Sequence, residues 1–233
     1  MSALEPFPDL AVIIPVAPGD IPHPQLLAAL QPERRSLEAV LSLAAPAPYS
    51  PPVGFRTLVG QSGRGKQLNA GIGATQAEWL WLLHADTIVG PEALHHAEQF
   101  IRHPPPRGDA MRIGYGWLRF RRDGPPATRL NALGANLRSR LLALPYGDQG
   151  LLIHRSLLTS LGGFREDLSR GEDLDFIVRA RRCGASPQAA GYTVWTSARR
   201  YAQAGWLATT WDHYRTAVRL VRGAYRSPRK RPP

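Results

Sequence analysis

Lysine is nearly missing from this chain. Only Lys66 and Lys230 are lysines among its 29 basic residues, so the formal net charge of +11 is carried almost wholly by arginine. Arginine's planar, permanently charged fork suits phosphates and carboxylates. The surplus fits an anionic partner, whether nucleic acid, an anionic membrane or a phosphorylated substrate; an arginine-rich composition without functional meaning is the alternative. Cysteine occurs once, at Cys183, which excludes an internal disulfide framework and fits a reducing compartment. No apolar run approaches the ~20 residues of a membrane-spanning helix. No N-terminal stretch joins a basic start, an apolar centre and a small-residue cleavage site. The expectation is a soluble, cytoplasmic protein. No internal repeat is visible. The arginines are scattered without a recognised nucleic-acid motif, which weakens that class of partner.

The chain's 233 residues, 43% hydrophobic, are enough for one sizeable core. LAVIIPV (Leu10 to Val16) is a short β-branched run and reads as a buried strand. Further strands are expected at Leu37 to Leu43, Phe55 to Val59, Trp79 to Leu83, Met111 to Phe120 and Gly150 to His154. Helices are expected at Pro24 to Leu30, Gly65 to Ala77, Pro91 to Ile101, Ala127 to Leu142, Asp173 to Arg182 and Trp206 to Arg222. This alternation predicts an α/β domain with a mostly parallel central sheet and helices on both faces. Residues 1–222 form one domain in this reading, and 223–233 form a basic tail expected to be disordered.

Three stretches carry chemistry. WLWLL (Trp79 to Leu83) stops abruptly at His84-Ala85-Asp86. In open α/β sheets, ligands bind beyond the carboxyl ends of the strands, so Asp86 belongs on that rim. A carboxylate there can bind a hard cation such as Mg²⁺ or Mn²⁺, which in turn grips phosphates; a plain turn at Asp86-Thr87 is the alternative. YGDQG (Tyr146 to Gly150) is the second stretch. In LGGFREDLSRGEDLDF (Leu161 to Phe176), Gly162-Gly163 permits a sharp turn and Glu172-Asp173 opens a helix. Acids in a first helical turn are also ordinary capping.

Taken in order, VIIPV (Val12 to Val16), GRGKQLNAG (Gly63 to Gly71), LLHADT (Leu82 to Thr87), YGDQG, LGGF and GEDLDF resemble glycosyltransferase family two, with the GT-A fold. TSARRYAQAGW (Thr196 to Trp206) resembles a small soluble branch of it, described as radical-SAM/selenodomain-associated. The resemblance implies metal-dependent, inverting transfer of a sugar from a nucleotide-sugar donor to an acceptor hydroxyl. Asp86 takes the last position of an Asp-x-Asp metal motif and would ligate Mn²⁺ or Mg²⁺ on the donor diphosphate. His84, at the motif's first position, is expected as a hydrogen-bonded rim residue rather than a ligand. Asp173 matches the general base, with Glu172 in support. Asp148 and Gln149 match a loop near the acceptor. Arg64 and Lys66 match a basic stretch near the donor, while Asn69 organises helix and loop. Arg199 and Arg200 would close over the departing diphosphate, although adjacent residues on a regular element cannot both face one way.

The pattern is incomplete. Ser42 to Pro48 carries no acid where the family holds the nucleotide base and ribose. Val16-Ala17-Pro18-Gly19 lacks the family's Asn-Glu, leaving Asp20 as a substitute. A catalytically inactive GT-A-like binding protein is therefore the alternative. A nucleotidyltransferase would need a glycine-rich loop after the first strand, which PVAPGD does not supply. The final helix mixes tryptophan with arginine; it can lie on an anionic membrane or pack on its own domain.

Overall fold

The apolar runs become strands. LAVIIPV is β1 (Leu10–Val16), followed in the chain by β2 (Glu38–Leu43), β3 (Phe55–Val59) and WLWL as β4 (Trp79–Leu82). The structure, a computed structural model, describes residues 9–30, 37–46, 49–104 and 108–226. A two-residue β5 (Ile88–Val89), β6 (Arg112–Phe120), β7 (Leu151–His154) and a long β8 (Ser186–Thr196) complete one sheet, ordered β3-β2-β1-β4-β7-β6-β8-β5. β1 pairs in parallel with β2 and β4, β2 with β3, and β6 with β8. β7 runs antiparallel to β4 and β6, and β5 to β8. All strands except β5 and β7 therefore point one way, giving the mostly parallel sheet expected.

The reversal of β7 matters for function. Leu82 at the end of β4 pairs with Leu151 at the start of β7. The chain therefore enters β7 on the same rim where it leaves β4. Residues just after β4 and just before β7 must lie near one another.

Alternation puts successive side chains on opposite faces. Val12, Ile14, Leu41 and Trp81 pack on one face beneath α1 (Pro24–Leu30) and α3 (Ala93–Arg102). Ala11, Ile13, Val40 and Leu80 pack on the other beneath α2 (Arg64–Gly73), α5 (Arg155–Leu161) and α6 (Glu172–Arg182). Each residue of β4 is buried, and Trp81 lies against the Tyr192 ring at 5.0 Å. Full burial of each such side chain contributes ~1.5–3 kcal/mol, so β4 is a rigid base for the turn that leaves it. α4 (Thr128–Leu142), the short α7 (Arg199–Ala204) and α8 (Trp206–Arg226) complete the fold. α8 packs on α6 through Leu220 against Leu174 and Val178.

Three expectations are corrected. α2 stops at Gly73 rather than Ala77, because Gly71 and Gly73 weaken its last turn. β5, α5, β8 and α7 stand where no element was expected. α8 continues to Arg226, four residues into the stretch assigned to the tail, and residues 227–233 lie outside the described residues.

Candidate active site

The turn after β4 is pinned by its backbone. Leu83 N donates to Ile13 O, Ala85 O accepts from His23 N at 2.7 Å, and Thr87 N closes the turn on His84 O at 3.1 Å. Asp86 projects from this turn into a cleft of about 810 Å³. Asp148, on the short 3-10 turn Gly147–Gln149 that leads into β7, lines the same cleft. Glu172 and Asp173, the first two residues of α6, line it from a third side. The acids from three separate motifs thus meet in one cavity, together with Arg64, Arg199 and Arg200.

Gly171 makes the α6 start possible. Its φ of +81° is in the left-handed region, and a Cβ there would fall 2.2 Å from Leu220 Cδ1. Glu172, Asp173 and Asp175 fill the first helical turn, where the dipole favours negative charge. Asp175 is committed elsewhere, with Arg179 Nε at 2.7 Å. Asp173 is held by the backbone: its Oδ1 accepts from Leu174 N at 2.8 Å and its Oδ2 accepts from Gly147 N. Gly147 is the point of convergence. A Cβ there would lie 2.7 Å from Asp173 Oδ2, 2.9 Å from Arg64 Nη2 and 3.1 Å from His84 Nε2.

Arg64 ties Glu172 to the rim. Its Nε lies 2.9 Å from Glu172 Oε1, and its Nη1 and Nη2 contact the two ring nitrogens of His84, the first at 3.2 Å. Burial, and then the charges of Arg64 and Arg200, hold the His84 pKa well below its ordinary value. The ring is therefore neutral and accepts from Arg64, a hydrogen-bonded rim histidine. Burial raises the pKa of Glu172, and the Asp173 charge adds to this against Arg64. Burial likewise pushes Asp148 up to about 6, with the Asp173 and Asp86 charges adding to it while Arg138 and Arg64 oppose. Its buried Oδ1 has no hydrogen-bond partner among the described residues.

Two expected site residues lie outside the cleft. Gln149 is fully buried, and its amide is committed to the protein. Its Oε1 accepts from Ser139 Oγ at 2.6 Å and Tyr146 N at 3.2 Å, and its Nε2 donates to Gly116 O at 3.1 Å. It braces the floor rather than meeting an acceptor. Lys66, two residues on from Arg64, sits on roughly the opposite side of α2 and donates to Gln61 Oε1 at 2.8 Å. Asn69 clasps the LGGF turn: its Nδ2 donates to Phe164 O and its Oδ1 accepts from Phe164 N, both at 2.9 Å. Arg199 and Arg200, the first two residues of α7, both line the cleft. Asp123 fixes the approach to α7 by accepting from Ser197 Oγ at 2.8 Å and Ala198 N at 2.7 Å.

Other lining residues carry no pattern of their own, although Tyr201 falls within the Thr196 to Trp206 segment. Tyr201 and His213, 3.2 Å apart, join α7 to α8 across one wall. Thr216, Ala217 and Leu220 of α8 continue that wall. α7 has only six residues, too few to show a period. At the β1 and β2 ends, Asp20 lines the cleft, and Gln67 Nε2 donates to Val16 O at 2.7 Å and Ser42 O at 2.6 Å. Ala47 and Pro48, in the acid-free Ser42 to Pro48 stretch, lie outside the described residues.

Among the described residues, no group of three or more His, Cys, Asp or Glu side chains could hold a metal ion alone. Asp86 makes no hydrogen bond or ion pair with another described residue. One free hard-oxygen ligand fits Mg²⁺ or Mn²⁺ when a bound diphosphate and water complete the shell. It does not fit a metal caged by protein.

A parallel-rich sheet, helices on both faces and an acid-lined cleft at the strands' carboxyl ends define a GT-A-like transferase scaffold. The chain belongs to glycosyl transferase family 2, whose model matches residues 32–152, more than half of its length. That match takes in Asp86 and Asp148 and stops before Asp173. Among solved structures the chain is similar to S. aureus TarS in complex with UDP-GlcNAc, at 18% identity and a TM-score of 0.60, covering 81% of this chain and 58% of that one. The UDP complex of TarS gives 17% and 0.58, covering 81% and 60%. The mannosyltransferase PcManGT from Pyrobaculum calidifontis, in complex with GDP-Man and Mn²⁺, gives 16% and 0.55, covering 80% and 56%. The chain thus spans less than two thirds of each of these proteins, and the likeness is one of fold. No curated protein sequence matches.

Proposed function

We propose that this chain transfers a sugar from a nucleotide-sugar donor to an acceptor hydroxyl with inversion, as part of the small soluble branch its Thr196 to Trp206 segment resembles. The observation that carries the reading is the meeting of Asp86 and Asp173 in one cleft, where Arg64 joins Glu172 to His84. Asp173 takes the acceptor's proton as the hydroxyl oxygen bonds to the anomeric carbon. The bond from that carbon to the diphosphate breaks, and the nucleoside diphosphate leaves with the electron pair. The Gly147 and Leu174 N–H groups aim the Asp173 carboxylate by occupying one lone pair on each oxygen. Glu172 and Arg64 brace it. Arg199 and Arg200 neutralise charge developing on the leaving diphosphate. Asp148, with its unpartnered oxygen, meets the acceptor's hydroxyls. Asp86 would hold a divalent ion, which supplies Lewis-acid charge to the diphosphate. The same reading keeps the protein cytoplasmic and, through α8, peripheral to the inner membrane face.

The acid-free Ser42 to Pro48 stretch favours a second reading, a binding protein without turnover. Release of free nucleotide from a panel of UDP- and GDP-sugars, with Mn²⁺ or Mg²⁺, separates the two. Metal-dependent release is expected from the wild type. Its loss is expected in Asp173→Asn and Asp86→Ala with circular dichroism unchanged, and Asp86→Ala should also weaken Mn²⁺ binding in the presence of nucleoside diphosphate. Undiminished turnover in both variants would reject the assignment.

A further inference from the structure

α4 turns a row of leucines to solvent. Leu130, Leu133, Leu137 and Leu141 recur every three or four residues, so they share one stripe. They are 46–73% exposed. The buried side of α4 is made of small residues, Ala132, Ala135 and Ser139. This is the reverse of an ordinary surface helix, whose large apolar residues face the core. α8 repeats the feature. Leu207, Trp211 and Tyr214 are 60–73% exposed, and the last two rings stack at 5.6 Å.

The two stripes adjoin. Asn131 of α4 donates to Thr210 Oγ1 at 3.0 Å and accepts from Trp206 Nε1. At 3.6 residues per turn, Asn131 points away from its own core by less than the leucines do, and the same holds for Thr210 relative to Leu207 and Tyr214. The joint therefore lies between core and stripe on each helix, and both stripes face outward on either side of it. Beyond the leucines stand exposed Arg129 and Arg140; beyond the aromatic stripe stand exposed Arg215, Arg219 and Arg222. α4 has no acid, and the only one on α8, Asp212, is paired with Arg170 at 3.1 Å.

We propose that α4 and α8 together form a docking face for an anionic lipid bilayer. Leucine and aromatic side chains enter the headgroup boundary to a depth of roughly 5–10 Å, with Trp211 and Tyr214 at the level where such rings settle. The arginine rims meet lipid phosphates. A second copy of this chain fits poorly, since a twofold pairing would set arginine rim against arginine rim. Among the described residues, no helix is long and apolar enough to cross a membrane. His213, Thr216 and Ala217 of α8 line the cleft, so docking brings the cleft to within a helix width, ~10 Å, of the lipid surface.

Vesicle sedimentation of the full chain tests this without requiring turnover, so it stands or falls separately from the sugar-transfer reading. The wild type is expected to pellet with phosphatidylcholine vesicles containing phosphatidylglycerol, and about tenfold less with phosphatidylcholine alone. Leu133→Ser/Leu137→Ser/Trp211→Ser should lose about tenfold or more. Arg215→Gln and Arg219→Gln should each cost about fivefold, on phosphatidylglycerol vesicles only. These positions are exposed, and circular dichroism checks the fold; a misfolded triple variant is replaced by Leu133→Ser alone. No binding by the wild type, or undiminished binding by the apolar variant, overturns the proposal. So does a wild-type dimer in light scattering that the apolar variant abolishes while vesicles go unbound.

Discussion

Arg64 Nε lies 2.9 Å from Glu172 Oε1, joining the first residue of α2 to the first residue of α6. The pair has an unequal setting. Glu172 is almost fully buried, while about a third of the Arg64 side chain is exposed. The same guanidinium reaches His84 with its two terminal nitrogens. Only arginine's planar fork can serve both partners. Arg64→Lys should therefore behave nearly like Arg64→Ala: about 1–2 kcal/mol lost, discounted from the cost of breaking a fully buried pair, and kcat/KM down by about tenfold. Thermal melts and steady-state kinetics of both variants check this. Full retention of activity in Arg64→Lys would show that a point charge suffices.

Gly147 is a glycine for reasons of space. The three groups that a Cβ would approach at 2.7 to 3.1 Å belong to α6, α2 and the β4 rim. Gly147→Ala should push them apart by a fraction of an ångström, and the Asp173 carboxylate would lose its N–H partner's alignment. Misplacement on this scale costs about 10²-fold in rate. The expected outcome is a kcat loss of that order with Tm shifted by only a few degrees, read from kinetics and calorimetry on the same preparation.

The strands that bury both faces were legible because their apolar runs are unbroken: β1 and β4 fall within a residue of where LAVIIPV and WLWLL place them. β8 was not legible. Pro187 and Gly191 interrupt it, Gly191 has a φ of +87°, and the alternation of buried and exposed residues slips at Gln188-Ala189. The direction of β7 was also hidden, because strand polarity is set by pairing and not by local pattern. That reversal brings Asp148 to the Asp86 rim, and motif order alone does not reveal it. Side-chain direction was the other gap. Asp148 and Gln149 are neighbours in one motif, yet one lines the cleft and the other turns inward to Ser139 and Gly116.

Gln149 gives a direct test of that distinction. Gln149→Leu keeps the volume but leaves Ser139 Oγ, Tyr146 N and Gly116 O without their partner. Stranding buried polar groups costs about 1–3 kcal/mol each before relaxation, so a loss of about 2–4 kcal/mol is expected. Denaturant melts should show it, while the acceptor KM of the folded fraction stays within about twofold of wild type. A raised KM at unchanged stability would return Gln149 to the acceptor site.

Asp148 supplies the pH signature of the cleft. Burial and the negative charges of Asp173 and Asp86 push its folded-state pKa up to about 6, against about 3.9 for an unfolded aspartate. A raised pKa means that the folded state binds the extra proton. The stability this group contributes is therefore fully present below about pH 4 and is lost as pH rises through about 6. Asp148→Asn removes the titration and stays neutral throughout. The variant should match the wild type near pH 4 and become the more stable of the two by pH 8. Each pKa unit corresponds to about 1.4 kcal/mol, and partial opening of Asp148 to the cleft reduces the expected gain to about 1 kcal/mol, a few degrees in Tm. Melts of both proteins across this range, without added metal, provide the measurement. A gap between the two curves that does not change with pH would mean that Asp148 ionises in the fold as it does in water.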